Sequence, residues 1–422
     1  MSKITVIDSI MGSGKSSYLI DYMNSHTEEL FCYITPYKQE IERVMDECSL
    51  RCFETPGNYD KREKRYTTKY NDILNILDDG FNVASTHALF KIFNEKIINS
   101  LQKNKYTLIL DEVVDVVEEI KISKDDVKLL LNDGIIGVNE DKRIIWLNEE
   151  YTGEFSKHKD KIKYGEVYLY GDSVILWTFP TKIFDYFDKV IISTYLFRGQ
   201  LMCYYFQINN IEYEYKSVEF NCIKGFGNLA QRKYKLVDYK EKEDLSHIKK
   251  LINLYEGKLN DIGSKRRNMK GYPLTKTWYD KATKEQLKKL KDNTYNYFRN
   301  ICNKKSNEVI WTTFKDRVDK DSKKNKVIPR SYRTAFISCN LRATNQYKDR
   351  DTVAYLINKH SDPIVINFLS SKGATINEDI YSLSELIQFV WRSAIRDNKP
   401  INLYIPSERM RNIFKAWLNN EI

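Results

Sequence analysis

The chain has 422 residues, a net charge of +10 and 42% hydrophobic residues. That apolar content is enough for buried cores and excludes wholesale disorder, and no apolar run approaches the ~18 residues of a membrane span. Seven scattered cysteines, an odd number, fit reduced thiols and not a disulfide framework, and Asp8 ends the first apolar stretch too early for a secretory signal. Two or three domains and a cytoplasmic setting are expected, with no membrane partner.

Ile4–Ile10 reads as a short strand, followed by a glycine turn and a helix over Lys15–Asn24 whose Leu19, Tyr22 and Met23 mark an inner face. Leu30–Ile34 reads as a strand, Lys38–Glu47 as a helix, Phe53–Lys69 as a polar loop and Asp72–Leu77 as a short helix. Asn82–Ser85 is a strand, Ala88–Leu101 a helix and Tyr106–Leu110 a buried strand. Strands alternating with helices predict a parallel α/β sheet. Residues 120–188 are less regular and read as an insertion or lid, with Trp177 and Phe179 in a core. Asp115, Glu118 and Glu119 read as a solvated helix face. Val190–Ser193 resumes the strand pattern, and Cys203–Phe220 alternates like antiparallel strands. Val309–Phe314, Thr334–Cys339, Pro363–Phe368 and Ile401–Ile405 read as strands of a second α/β unit, with helices around Thr352–Lys359 and Leu383–Arg396.

The charge is uneven. Residues 257–330 hold 21 basic and 8 acidic residues, a local +13, so the rest of the chain carries −3. The stretch also contains Tyr272, Trp278, Tyr279, Tyr295, Tyr297, Phe298, Trp311 and Phe314. Basic residues attract a polyanion by counterion release, and aromatics stack on unpaired bases, so a nucleic-acid surface is expected. Within it, Lys265, Arg266 and Arg267 form a compact cluster that either grips phosphates or stays solvated. Cys48 and Cys52 have no matching Cys/His pair nearby, so no zinc site is expected.

Ser9-Ile-Met-Gly12-Ser13-Gly14-Lys15-Ser16-Ser17 lies between the first strand and the first helix, the context a phosphate-binding loop needs. Gly12 and Gly14 let the backbone turn its N–H groups toward phosphate oxygens. Lys15 supplies a cation, Ser16 a hydroxyl for Mg²⁺, and the helix N-terminus its positive dipole end. The usual first glycine of the motif is Ser9. Leu108-Ile-Leu-Asp111-Glu112 supplies the second half, 95 residues after Ser16. A strand ending in two acids puts Asp111 at the sheet edge to hold Mg²⁺ and Glu112 in place to polarise water. ATP and Mg²⁺ are the expected cofactors.

The segment Met11-Gly-Ser-Gly-Lys-Ser together with Asp111-Glu112 resembles the ATPase core of superfamily-two helicases, and more closely helicase-like ATPases of tailed bacteriophages, including replication-origin-binding types. Tyr33-Ile-Thr35-Pro-Tyr37 resembles the motif that contacts the nucleic-acid backbone, and Thr86-His87-Ala-Leu-Phe the segment seen before the acidic motif. Ser193-Thr194 stands where the Ser/Thr motif couples hydrolysis to domain movement. Glu308–Phe314 resembles the first strand of the second motor domain, and Asn340–Tyr347 a segment of the phage proteins near the inter-domain cleft. Gln388-Phe-Val-Trp391-Arg392-Ser-Ala-Ile395-Arg396 resembles the final motif, which carries the arginine finger. Here Trp391 replaces its glycine, and its second arginine is displaced by one residue to Arg396.

The resemblance implies an α/β fold of two RecA-like P-loop NTPase domains with parallel sheets, plus a mixed α+β insertion and a basic intervening region. The expected limits are 1–205 for the first domain with its insertion at about 120–188, 206–300 for the basic region and 301–422 for the second domain. It implies a nucleic-acid-stimulated ATPase, a DNA helicase or translocase of bacteriophage replication or recombination. Lys15, Glu112, Arg392 and Arg396 would be catalytic. Thr35, Tyr37, Thr86 and His87 would contact single-stranded or forked DNA, with RNA also open. Ser193, Thr194 and Gln388 would couple the two events. Replication or recombination proteins are possible partners, and the oligomeric state is open. Two alternatives stand beside this reading: an ATPase that remodels or loads a partner without unwinding, and a small-molecule phosphotransferase using the same loop.

Overall fold

The computed structural model describes residues 3–60, 65–91, 93, 95–223, 231–265, 271–339 and 345–422. Arg266, Arg267 and residues 340–344 of the expected 340–347 segment lie outside them. Two compact units are present, 1–239 with 362–376, and 240–361 with 377–422.

The first unit is built on a seven-stranded sheet. Its strands are β1 (Lys3–Asp8), β2 (Leu30–Thr35), β3 (Val83–Thr86), β4 (Tyr106–Asp111), β5 (Lys189–Thr194), β6 (Glu214–Ile223) and β7 (Gln231–Asp238). The order is β7-β6-β1-β5-β4-β2-β3, and β7 is the one antiparallel strand. The central strands are buried on both faces, which is why they read as continuous apolar runs. Helix α1 (Lys15–Ser25) packs Leu19, Ile20 and Met23 onto Ile7, Tyr33 and Ile109.

The insertion leaves β4 through the strand Val117–Ile120. That strand forms a three-stranded antiparallel sheet with Glu166–Tyr170 and Val174–Thr178. Trp177 and Phe179 are in the core as expected. The expected helix face at Asp115, Glu118 and Glu119 is corrected: Glu118 and Glu119 lie on the strand, and Lys91 bonds both Asp115, at 2.8 Å, and Glu118.

Several helix and strand assignments also change. Leu201–Ile208, which overlaps the start of the strand run expected from Cys203, is a helix with Met202 through Phe206 all buried. Pro363–Ser371 is a helix of the first unit, started by proline in the first turn and capped by Asp362, which accepts from Ile364 N–H at 2.9 Å. Its Phe368 packs on Tyr168 and Tyr170 of the insertion.

The second unit has a four-stranded, all-parallel sheet of β8 (Ile252–Leu254), β9 (Val309–Thr312), β10 (Thr352–Tyr355) and β11 (Ile401–Tyr404), in the order β8-β11-β10-β9. The expected helix at Thr352–Lys359 is therefore a strand at its start, and the expected strand at Thr334–Cys339 holds only a single bridge, Phe336 to Trp311.

Residues 257–330, the basic stretch, fall within the second compact unit, whose first residue is Lys240. Tyr279, Tyr297, Phe298 and Trp311 are buried in its core, and Trp278, Tyr295 and Phe314 pack against them. Of the eight aromatics in the stretch, Tyr272 alone is exposed, at 43%.

Candidate nucleotide site

The parallel register brings the expected phosphate-site residues to one edge. Asp8 pairs with Thr194 across β1 and β5, and Ser193 pairs with Asp111 across β5 and β4. The loop after β1 thus sits beside the acids after β4.

Gly12 and Gly14 take φ of +85° and +94°, backbone that a side chain disfavours. Gly14 is the N-cap of α1. Lys15 is buried, and its ammonium donates to the carbonyls of Ser9 and, at 3.1 Å, Ile10. The Ser13 hydroxyl is buried with no hydrogen-bond partner. Ser17 lies one position along α1, where its hydroxyl is 3.5 Å from Arg43. Ser9 replaces glycine for a local reason. Its hydroxyl accepts the N–H of Val218 on β6 at 2.9 Å, while Ser217 donates to the Asp8 carbonyl at 2.8 Å. These bonds fasten β6 to the loop.

Ser16 Oγ is 3.4 Å from Asp111 Oδ2, and the Tyr33 hydroxyl donates to the same oxygen at 2.7 Å. Burial pushes the Asp111 carboxyl above the usual carboxylate range, while Tyr33, Lys15 and Ser16 pull the other way. Glu112 has φ +77°, a strained value for a side-chain-bearing residue, and its N–H is held by the Ser193 carbonyl at 2.8 Å. Thr194 donates to Glu112 Oε2 at 3.0 Å and accepts from Gln200 at 2.9 Å. The Ser193 hydroxyl is buried and unpartnered.

Sequence reasoning missed the roles of Tyr33, Gln200 and Asp8. Asp8 is buried and accepts the N–H groups of Leu196 at 2.9 Å and Phe197 at 2.7 Å, which fixes the turn after β5. The Tyr33 and Asp8 pairings leave no local pattern in the chain, because their partners lie 78 and at least 188 residues away, and the Gln200–Thr194 pair, six residues apart, matches no motif.

The expected nucleic-acid residues divide. Thr35, the expected backbone contact, is fully buried and its hydroxyl has no hydrogen-bond partner. Tyr37 and His87 are half-buried, and Thr86 lines a cleft of about 370 Å³ with Lys38, Thr55 and Lys69. In the second unit Lys265 is exposed, its ammonium 4.1 Å from the Tyr272 ring centroid.

The final motif is also rearranged. Arg392 is 3% exposed and donates to the carbonyls of Ser338 at 3.0 Å and Cys339 at 2.9 Å. The arginine expected as a presented finger is committed to the backbone. Trp391 and Ile395 explain the sequence departures: both are buried, and Trp391 packs edge-on against Trp417. Arg396 and Gln388 are half-buried.

Along its whole length the chain is 40% identical, over 435 aligned residues, to the SPbeta prophage-derived uncharacterized protein YonV of Bacillus subtilis (strain 168), and the match covers 100% of both chains. The chain belongs to the YonV family. Residues 117–177 match the YonV middle domain, which is the insertion described above, and residues 246–418 match the YonV C-terminal Rossmann-like domain.

Two solved structures, XPD_Helicase and XPD_APO, share the fold, with TM-scores of 0.51 and 0.52 at 11% identity. The alignments cover 100% and 99% of this YonV family member and 95% of each structure. The fold is thus helicase-like, with two RecA-like domains and an insertion. The likeness is to XPD structures, not to the origin-binding type.

Proposed function

We propose that the chain is a nucleic-acid-stimulated ATPase of superfamily-two type that works as a DNA helicase or translocase. The observation that carries the reading is the row of Lys15, Ser16, Asp111 and Glu112 along one sheet edge, with Ser16 and Asp111 at 3.4 Å. The residues fit Mg²⁺–ATP. Two glycines with positive φ shape the loop, an unpartnered Ser13 hydroxyl lies inside it, and Lys15 rests on carbonyls it can exchange for phosphate oxygens.

Ser16 and Asp111 would hold the metal, and Tyr33 would fix the carboxylate that does so. The metal, when bound, neutralises charge on the phosphates. Glu112, oriented by Thr194, would position the attacking water. Arg392 and Arg396 lie in the segment whose resemblance implies charge stabilisation, and Arg396 is the less buried of the two. Thr86 and the lysines of its cleft are the candidate contacts to a DNA backbone. The prophage origin of the relative supports a role in phage replication or recombination.

The test is phosphate release with and without single-stranded DNA. Wild type should be stimulated and Lys15→Ala silent; unchanged turnover in Lys15→Ala would sink the assignment. The bonding of Arg392 to two carbonyls favours a second reading, an ATPase that remodels or loads a partner without unwinding. DNA-stimulated hydrolysis without strand displacement on a fork would select it.

A further inference from the structure

Strand β6 runs parallel to β1, with Ile7 opposite Lys216, and continues past the end of β1. Beyond that point Val218 is bonded to Ser9 of the phosphate loop at 2.9 Å. Phe220 follows two residues later, which at ~3.3 Å per residue carries it roughly 6–7 Å further along the loop side of the sheet. Residues two apart share a face, so Phe220 lies on the face of Val218, which packs with α1.

Tyr234 on β7 stands directly opposite Phe220, their ring centroids 5.5 Å apart at 57°. The Tyr234 ring also covers Gly14: a Cβ built there would lie 2.0 Å from the ring. Phe220 is 52% exposed although it is an aromatic joined to a buried face. The phosphate loop thus adjoins an aromatic pair, Tyr234 against Gly14 and the exposed Phe220 beside it.

We propose that Phe220 and Tyr234 form the stacking platform for the nucleobase of the bound nucleotide, with purines favoured over pyrimidines. The inference rests on the phosphate-loop reading of Lys15 and adds the base to it. A triphosphate seated on the loop carries its base tethered within a few ångströms, and the exposed Phe220 ring, with Tyr234 tilted at 57° beside it, offers that base the stacking surface water does not. Stacking tolerates any base because each has a π-face, and the larger ring system of a purine covers more of the pair.

The experiment is calorimetric titration of the full chain with Mg²⁺ plus ATP, UTP or inorganic tripolyphosphate. Wild type should bind ATP more tightly than UTP and than tripolyphosphate. Phe220→Ala and Phe220→Leu should weaken ATP on the order of tenfold and leave tripolyphosphate unchanged. Tyr234→Phe, which keeps the ring, should retain ATP affinity, and Lys15→Ala should lose both ligands. Equal wild-type affinities for ATP and tripolyphosphate, or unchanged ATP binding in Phe220→Ala, overturn the platform while the phosphate loop stands. No binding of either ligand by wild type overturns both. Because Phe220 is a surface residue, its variants test stacking without removing a core side chain.

Discussion

Thr194 donates a hydrogen bond to Glu112 Oε2 at 3.0 Å, so the end of β5 holds the acid that follows β4. Gln200 in turn donates to Thr194, and the Ser193 carbonyl holds the Glu112 backbone in its left-handed conformation. A change at any of these residues is therefore felt at the carboxylate. Thr194→Val should lower the ATPase kcat about tenfold, the value of one charge-assisted hydrogen bond of about 1.5 kcal/mol. ATP affinity should be nearly unchanged, and the split between kcat and Kd separates this role from loss of the loop. Equal losses in both would assign Thr194 to folding.

The Asp111 carboxylate has a comparable prop in Tyr33. Tyr33→Phe removes the 2.7 Å bond and leaves the ring in its packed site. The Mg²⁺ concentration for half-maximal ATPase should rise about tenfold, as for other residues that orient a metal ligand. Titrating Mg²⁺ at saturating ATP measures it, and an unchanged midpoint would remove Tyr33 from the site.

The difference between the legible and illegible parts of this site is physical. The strand–turn–helix around Gly12, Gly14, Lys15 and Ser16 could be read because those residues are adjacent and follow an apolar run. Strands β1, β2, β4 and β5 could be read because burial on both faces leaves unbroken apolar runs. The same property misled elsewhere. Leu201–Ile208 and Pro363–Ser371 are apolar around most of their circumference, so no 3.6-residue period shows through. In the basic stretch the aromatics build the second core, and several of the lysines and arginines pair with acids nearby. Tyr33 and Asp111 meet across 78 residues, a relationship that only the strand order creates.

Those pairings predict an acid-sensitive second unit. Arg317 is buried and bonds Asp280, which Lys324 also approaches at 2.6 Å. Lys324, above all, holds the Asp280 carboxyl below its usual value of 3.8. A carboxylate whose folded pKa is depressed stabilises the fold above its unfolded value, and that contribution is lost as pH falls through the folded value. Asp280→Asn should cost about 1–2 kcal/mol at neutral pH, a figure discounted because Asp280 is partly exposed and Arg317 is not. The gap between wild type and variant should narrow as the pH drops below about 4. Denaturant titrations at neutral and acid pH check both statements, and a gap that widens on acidification would refute the assignment.

Arg392 supplies the test that separates the two readings of the proposed function. In its present position the guanidinium satisfies the carbonyls of Ser338 and Cys339 and lies over the Phe389 ring. Removing it leaves two carbonyls short of a donor inside a packed region, so Arg392→Ala should destabilise the chain by about 2–4 kcal/mol. A presented finger would behave in the opposite way, losing hydrolysis while the unfolding midpoint stayed fixed. Arg396 is the control, because it is half-buried and comes from the same displaced motif. If Arg396→Ala lowers DNA-stimulated turnover without moving the midpoint, while Arg392→Ala moves the midpoint, the charge-stabilising role belongs to Arg396. If Arg392→Ala loses turnover at an unchanged midpoint, its bonds to the carbonyls exchange during the cycle and the helicase reading is strengthened. The decisive pair of measurements is therefore denaturant unfolding and ATPase rate on the same two variants.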